Sequence, residues 1–238
     1  MAKSTAVQGI VGTIASAAVA TALLAGTVQL TLHNEQVVIL NDAIDSKPVK
    51  EVINELLAVP FYKRATLVLE SPGGRVDQLA MFRAILESRG VEYDTEIVGM
   101  AASAAADLFM TGTHRKMHKD ASILFHETRV FVPVDMFQVE VLTTTDLVNY
   151  LKTGEFAAKS QIKNPEGMKL MLMAQPRDML EGLADRMLKG DQEQVDLLVK
   201  QTGLTEATVR EKLMVNNVDI TLTPKEALEL NVATEVLK

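Results

Sequence analysis

The sequence predicts an α/β domain with a mainly parallel sheet and flanking helices. Three observations predict it. Short apolar runs of strand length recur at residues 37–40, 66–69, 95–98 and 122–125. Apolar residues at helical spacing fill the intervals between the first three of these runs. Gly, Pro, Asn and Asp close several of the strands, and strands alternating with helices are the pattern of βαβ crossovers. At 238 residues the chain fits one sizeable domain, or one with an appendage, and buries a core without staples.

The elements follow in order. Residues 1–32 stand apart, because after Lys3 no charged residue occurs before Glu35. Two readings of this segment stand side by side. A short basic start, an apolar run at 6–28 and the small residues Ala18-Val19-Ala20 suit a signal peptide or a single anchor. The poverty of the run in Leu and Ile suits a buried or self-associating helix instead. Localisation follows that choice: cytoplasmic in one case, exported or anchored in the other.

Residues 37–40 (VVIL) read as a buried strand, closed by Asn41-Asp42. Val49, Val52, Ile53, Leu56 and Leu57 then predict a helix over 48–58. The second buried strand, 66–69, runs into the turn Ser71-Pro72-Gly73-Gly74. Val76, Leu79, Phe82, Ile85 and Leu86 share one face of the next helix. The third strand, 95–98, is followed by Gly99-Met100 and by a run of high helix propensity at 101–110. The fourth, 122–125, ends at His126. Residues 130–180 have a strand-like start and then helices, and 179–213 is helical. Thr223-Pro224-Lys225-Glu226 is a capping box with proline in the first turn; its helix runs to about Leu230, Asn231 ends it, and 232–237 is extended.

Composition removes several functions. The chain has no cysteine, which excludes disulfides, thiolate metal sites and a cysteine nucleophile. Its net charge is −7 with scattered Lys and Arg, which argues against nucleic acid as the main partner. Seven Phe, three Tyr and no Trp leave little for stacking on bases.

Amide hydrolysis needs a nucleophile, a base, a group that orients the base and donors for the oxyanion. Ser103 sits among alanines at or near a helix N-terminus just after a strand, where small neighbours admit a substrate backbone. Read alone, it is as well a packing serine. Gly73 and Gly74 free a backbone N–H for a ligand, or make an ordinary turn; the lysine and hydroxyl of a phosphate loop are missing. His126 ends an apolar strand and alone reads as structural. His114 and His118 are four apart, as on one helix face, but with no glutamate at the zinc-protease position they read as a solvated pair. Asp219 precedes the capped helix. Asp107, four residues after Ser103, competes with it but points along the helix rather than at His126.

Together these segments resemble the ClpP-like serine peptidases, which have the crotonase-like fold. The motifs are Ser71-Pro72-Gly73-Gly74, then Gly99-Met100-Ala101-Ala102-Ser103-Ala104-Ala105, then Ile123-Leu124-Phe125-His126, then Asp219 through Ala227 (DITLTPKEA). The resemblance covers roughly residues 36–130 and 180–238. It implies repeated β-β-α units, with a peptidase domain over 33–238. It implies Ser103 as nucleophile, His126 as general base and then acid, and Asp219 as the residue that orients the imidazole. The N–H groups of Gly74 and Ala104 would form the oxyanion hole. It implies no cofactor and no metal, polypeptide substrates and a homo-oligomer.

Two features depart from the family pattern. His126 and Asp219 lie further apart in sequence than usual, and the extra length falls in an enlarged insert at about 130–180, where the family builds the handle through which subunits stack. The other departure is the apolar N-terminus. A ring and an ATP-driven unfoldase partner are thus open, while the alanine-rich GMAASAAA also resembles phage proteases of this class that process capsid precursors. The residues leave other functions in view: a non-catalytic ClpP-like subunit or scaffold, a crotonase-fold acyl-CoA enzyme, or a serine–lysine peptidase.

Overall fold

A computed structural model describes residues 35–60, 62–136 and 138–238, so the apolar segment 1–32 lies outside the described residues. Among the described residues no helix is long and apolar enough to cross a membrane.

The chain folds as an α/β protein around a mainly parallel sheet. Strands β1 (Glu35–Leu40), β2 (Arg64–Ser71), β3 (Tyr93–Ala102), β4 (Arg115–His118) and β9 (Glu235–Leu237) lie side by side in that order, all parallel. The long β3 serves two neighbours. Its first half pairs β4 (Thr95↔Arg115), and its second half pairs β5, Ser122–Phe125 (Ala102↔Leu124). A short β8 (Ile220–Leu222) then adds to β5 in antiparallel sense.

Helices α1 (Ser46–Leu57) and α2 (Val76–Ser88) are the crossovers of β1–β2 and β2–β3. Their apolar faces (Val49, Val52, Ile53 and Leu56; Leu79, Phe82 and Leu86) pack on Val38, Leu40, Leu67, Leu69 and Ile97 of the sheet. The sequence reading of β1 as a buried strand holds for one face only. Val38 and Leu40 are 1% and 2% exposed, whereas Val37 and Ile39 are 54% and 60% exposed. The reason is position: β1 ends the sheet, and its side chains alternate between a helix-covered face and an open one.

The segment 129–173, in the region that the sequence reading took as an insert, is a unit with its own core. A hairpin of β6 (Arg129–Pro133) and β7 (Val139–Thr143) leads into α4 (Thr144–Thr153) and α5 (Pro165–Met173). Leu142, Leu147, Met168 and Leu172 are buried together there, apart from the sheet core. Helix α6 (Arg177–Thr202) joins the two cores. At 26 residues it is about 39 Å long. Its first half gives Leu180, Ala184 and Met187 to the insert, and its second half gives Val195, Leu197 and Leu198 to the sheet core. Gly203 ends it in the left-handed conformation. Helices α3 (Ala104–Phe109), α7 (Glu206–Lys212) and α8 (Pro224–Glu229) complete the fold, α8 with the capping box read from the sequence.

Arg115, unremarked in the sequence, is 5% exposed, and its guanidinium bonds, among the described residues, only neutral acceptors: the carbonyls of Gly112, Gln201, Val232 and Asn231 and the side chain of Gln201. It thereby pins the segment before β9 to β4. Desolvation holds its pKa below the ordinary guanidinium value.

Because the insert core is separate, Leu142→Ala should cost about 2–5 kcal/mol in denaturant unfolding. The accompanying loss of hydrogen-exchange protection should concentrate in β6, β7, α4 and α5 and spare β1–β3.

Candidate active site

Three strand ends converge at one edge of the sheet. In the parallel pair β3·β5, Ala102 stands beside Leu124, so Ser103 and His126 leave the carboxyl ends of adjacent strands. In the antiparallel pair β5·β8, Phe125 stands beside Ile220. One residue further along that register sets Asp219 beside His126. Ligand sites of open α/β sheets are built at such carboxyl ends.

Ser103 is the junction between β3 and α3. The sequence reading set Ser103 at or near a helix N-terminus, and it is the cap of α3: pairing with β5 keeps the chain extended through Ala102, although helix propensity is high from residue 101. The turn into the helix then falls on one residue. Ser103 has φ 56° and ψ −128°, a conformation that disfavours any residue with a Cβ. Its N–H donates to the Leu124 carbonyl at 2.9 Å, and its own carbonyl accepts from Ala106 at 2.8 Å. Its hydroxyl makes no capping bond to α3, unlike the serine or threonine at an ordinary helix start.

The Ser71–Gly74 turn lies directly against this junction. Gly73 has φ 89°, and a Cβ there would come within 2.4 Å of the Ala102 carbonyl and 2.8 Å of the Ser103 Cβ. Gly74 has φ 152°. Ile44 donates to the Gly73 carbonyl and accepts from the Arg75 N–H, both at 2.8 Å. Groups alternate in direction along extended backbone, so the Gly74 N–H points away from Ile44. Among the described residues neither the Gly74 N–H nor the Ala104 N–H has a protein acceptor.

Ser103, Ala104, Gly73, Gly74 and His126 line one cleft of about 340 Å³. The His126 Nδ1 lies 2.6 Å from the Glu127 carbonyl. A carbonyl only accepts, so Nδ1 carries the proton and Nε2 is the basic nitrogen. Burial, above all, holds the imidazole below its usual pKa; the Arg129 charge adds to this, while the Glu127 bond, Asp219 and Asp191 oppose it.

Asp219 bonds the guanidinium of Arg129 through both carboxylate oxygens, one at 3.4 Å. Among the described residues no hydrogen bond joins His126 to Asp219 or to the Ser103 hydroxyl. The geometry thus brings Ser103 and His126 into one cleft, with Asp219 held by Arg129 of its lining, and leaves the bonds between the three unmade. Such bonds are often open in unliganded sites.

A buried polar knot underlies this edge. Glu127 accepts from the Asn217 N–H at 2.6 Å and from the Thr145 N–H and hydroxyl at 2.9 and 2.7 Å. The Thr143 hydroxyl donates to Asn217 at 2.6 Å, and Asp146 accepts from Asn217, Ser160 and the Ala157 N–H. The knot ties the residue after His126, the start of α4 and the loop before Asp219 together. Sequence reasoning missed it, since isolated polar residues tens of positions apart carry no local signal.

Asp107 accepts from Gln194 of α6 at 2.8 Å and opens to the cleft. Burial pushes its carboxyl up to about 7. Among the described residues it makes no hydrogen bond to His126, and neither does Asp219. His114 and His118 do not share a helix face: they lie just before and at the end of β4, where each meets a carboxylate of β3 (Asp94 at 2.9 Å, Glu96 at 3.1 Å).

The Ser103 backbone makes its own test. Ser103→Gly should raise stability by about 1 kcal/mol, because glycine relieves the positive φ. Ser103→Ala should leave stability near the wild-type value. Chemical denaturation of the three proteins measures both.

Residues 6–150, more than half of the chain, match the Clp protease family. No curated protein matches the chain. The order of the motifs, the α/β fold with its mainly parallel sheet and this match agree: the chain belongs to the Clp protease family, the ClpP-like peptidases.

Proposed function

We propose that the chain is a serine endopeptidase that cleaves polypeptides through an acyl-enzyme. The observation that carries this reading is the strained Ser103 at the end of β3, its hydroxyl uncommitted to α3, in one cleft with a neutral, Nδ1-protonated His126.

In this reading His126 Nε2 takes the Ser103 Oγ proton as Oγ bonds the scissile carbonyl carbon. The Gly74 and Ala104 N–H groups stabilise the oxyanion. The C–N bond then breaks, and His126 returns the proton to the leaving amine. Water repeats the sequence: His126 takes its proton, hydroxide bonds the acyl carbon, and the ester C–O bond to Ser103 breaks with return of that proton. Asp219 stabilises the imidazolium by its charge, Arg129 releasing it toward His126, whose Nδ1–H stays on the Glu127 carbonyl. Homo-oligomers and a capsid-precursor or unfoldase-delivered substrate complete the proposal. A second reading, a non-catalytic subunit, draws on the Arg129–Asp219 pair, which holds the carboxylate off the histidine.

A fluorophosphonate probe should label Ser103, and Ser103→Ala should lose both labelling and peptide hydrolysis. Unchanged hydrolysis in that variant sinks the assignment, and a wild-type protein that neither labels nor hydrolyses supports the second reading. His126→Ala should cost about 10³-fold or more in kcat/KM. Because the base works deprotonated, kcat/KM should fall as pH drops through an apparent pKa below that of free imidazole.

Arg129→Met should free Asp219. With the ion pair worth on the order of 1 kcal/mol, kcat/KM should rise roughly fivefold. A fall would instead mean that the pair holds the Asp219 loop in its working place.

A further inference from the structure

We propose that Asp107 is a specificity residue of the cleft, receiving a cationic side chain, lysine or arginine, on the acyl side of the scissile bond. The inference rests on the peptidase reading and adds a substrate class to it.

Two carboxylates line the cleft, Asp107 and Glu127. Both oxygens of Glu127 are taken, one by the Asn217 N–H and the other by Thr145. Asp107 uses Oδ1 for Gln194, and among the described residues Oδ2 has no partner. It lies one turn of α3 beyond Ser103, its N–H reaching back to the Ser103 carbonyl at 3.2 Å. The cleft therefore offers a carboxylate oxygen to substrate next to the nucleophile.

The walls suit a long cationic side chain. The room for it is the cleft of about 340 Å³, lined by Val76, Asp107, Gly190 and Gln194; the recess of about 30 Å³ behind these four residues has space for no more than the tip of a side chain or a water. Val76 and the bare backbone of Gly190 would flank a methylene stem, with its charged end at Asp107. The charges around Asp107 are Arg83 on α2 and Asp191 and Glu193 on α6, so with Asp107 ionised the balance is negative. At the cleft side the Arg129 charge is opposed by Asp219, and His126 is held neutral. A buried carboxylate that gains a cation is stabilised in its charged form, while an apolar guest leaves it unpaired.

The test uses diphenyl phosphonate probes of lysine and of leucine, which form the same Oγ–P bond with loss of phenoxide. Their labelling-rate ratio cancels effects on Ser103 and His126 and reports the side-chain site beside Asp107. Wild type should favour the lysine probe by about tenfold or more. The ratio should rise with pH through the neutral range, since Asp107 ionises near 7 while the lysine stays charged. Asp107→Asn is isosteric and keeps the acceptor for Gln194; it should cut the ratio at least fivefold. A leucine preference in wild type, or an unchanged ratio in Asp107→Asn, overturns the proposal. Should the variant not fold, the wild-type ratio and its pH dependence decide alone, a flat ratio counting against. A small fluorophosphonate without a side chain, applied to wild type and Ser103→Ala, separates the two levels. Labelling without a lysine preference removes only the specificity, whereas no labelling of wild type removes the peptidase reading and this one with it.

Discussion

The buried knot of Glu127, Thr143, Asp146 and Asn217 is the constraint on which the geometry of the site depends. It joins three segments that the sheet alone does not hold together: the exit of β5, the base of the insert and the loop entering β8. Buried carboxylates are costly unless every oxygen is met, and here both are met by N–H, hydroxyl or amide donors. Asn217 sits at φ 57°, which an asparagine tolerates better than most residues, and so turns its N–H into the knot while the chain runs on to Asp219. The insert is thereby part of the site's foundation as well as a module with its own core.

A second constraint is steric. The junction at Ser103 is strained, and the strain persists because two neighbours leave the backbone no alternative. Leu124 holds its N–H, and Gly73 presses on Ala102 and Ser103 so closely that no side chain fits between. Small residues around the serine are thus demanded twice, by the turn above and by the burial of Ala104, Ala105 and Ala106 below. The electrostatics of the cleft divide along the same lines. Burial lowers the basicity of His126 and raises that of Asp107, so near neutral pH the imidazole is held uncharged while the carboxyl of Asp107 titrates, at about 7. Arg129 and Asp219 meanwhile neutralise each other at the rim.

Much of the fold was legible in the sequence. The strands at 37–40, 66–69, 95–98 and 122–125, the crossover helices between the first three and the capped C-terminal helix all follow from periodicity and caps that act within a few residues. The same holds for Ser103 and the glycine turn, whose motifs are local. The limits came from contacts between distant segments. Pairing with β5 extended β3 through Ala102, against the helix propensity of the first alanines, and so fixed the cap of α3 at Ser103. Edge position left Val37 and Ile39 exposed in a run that reads as buried. The environments of His114 and His118 came from carboxylates on a neighbouring strand, which no spacing in HRKMH reveals.

By itself, then, the sequence determined the α/β class, the order of the motifs and the residue types able to carry acyl transfer, because each is encoded by neighbours along the chain. Only the tertiary structure decided that His126 and Asp219 flank the register pair Phe125–Ile220, that Arg129 holds Asp219, that Glu127 carries the Nδ1 proton's bond and that, among the described residues, Asp107 keeps an oxygen free in the cleft. Those relations join residues up to 93 positions apart, counting from His126 to Asp219. Hydrogen bonds and charges act through space over a few ångströms, and that proximity exists only once the sheet and the insert have packed.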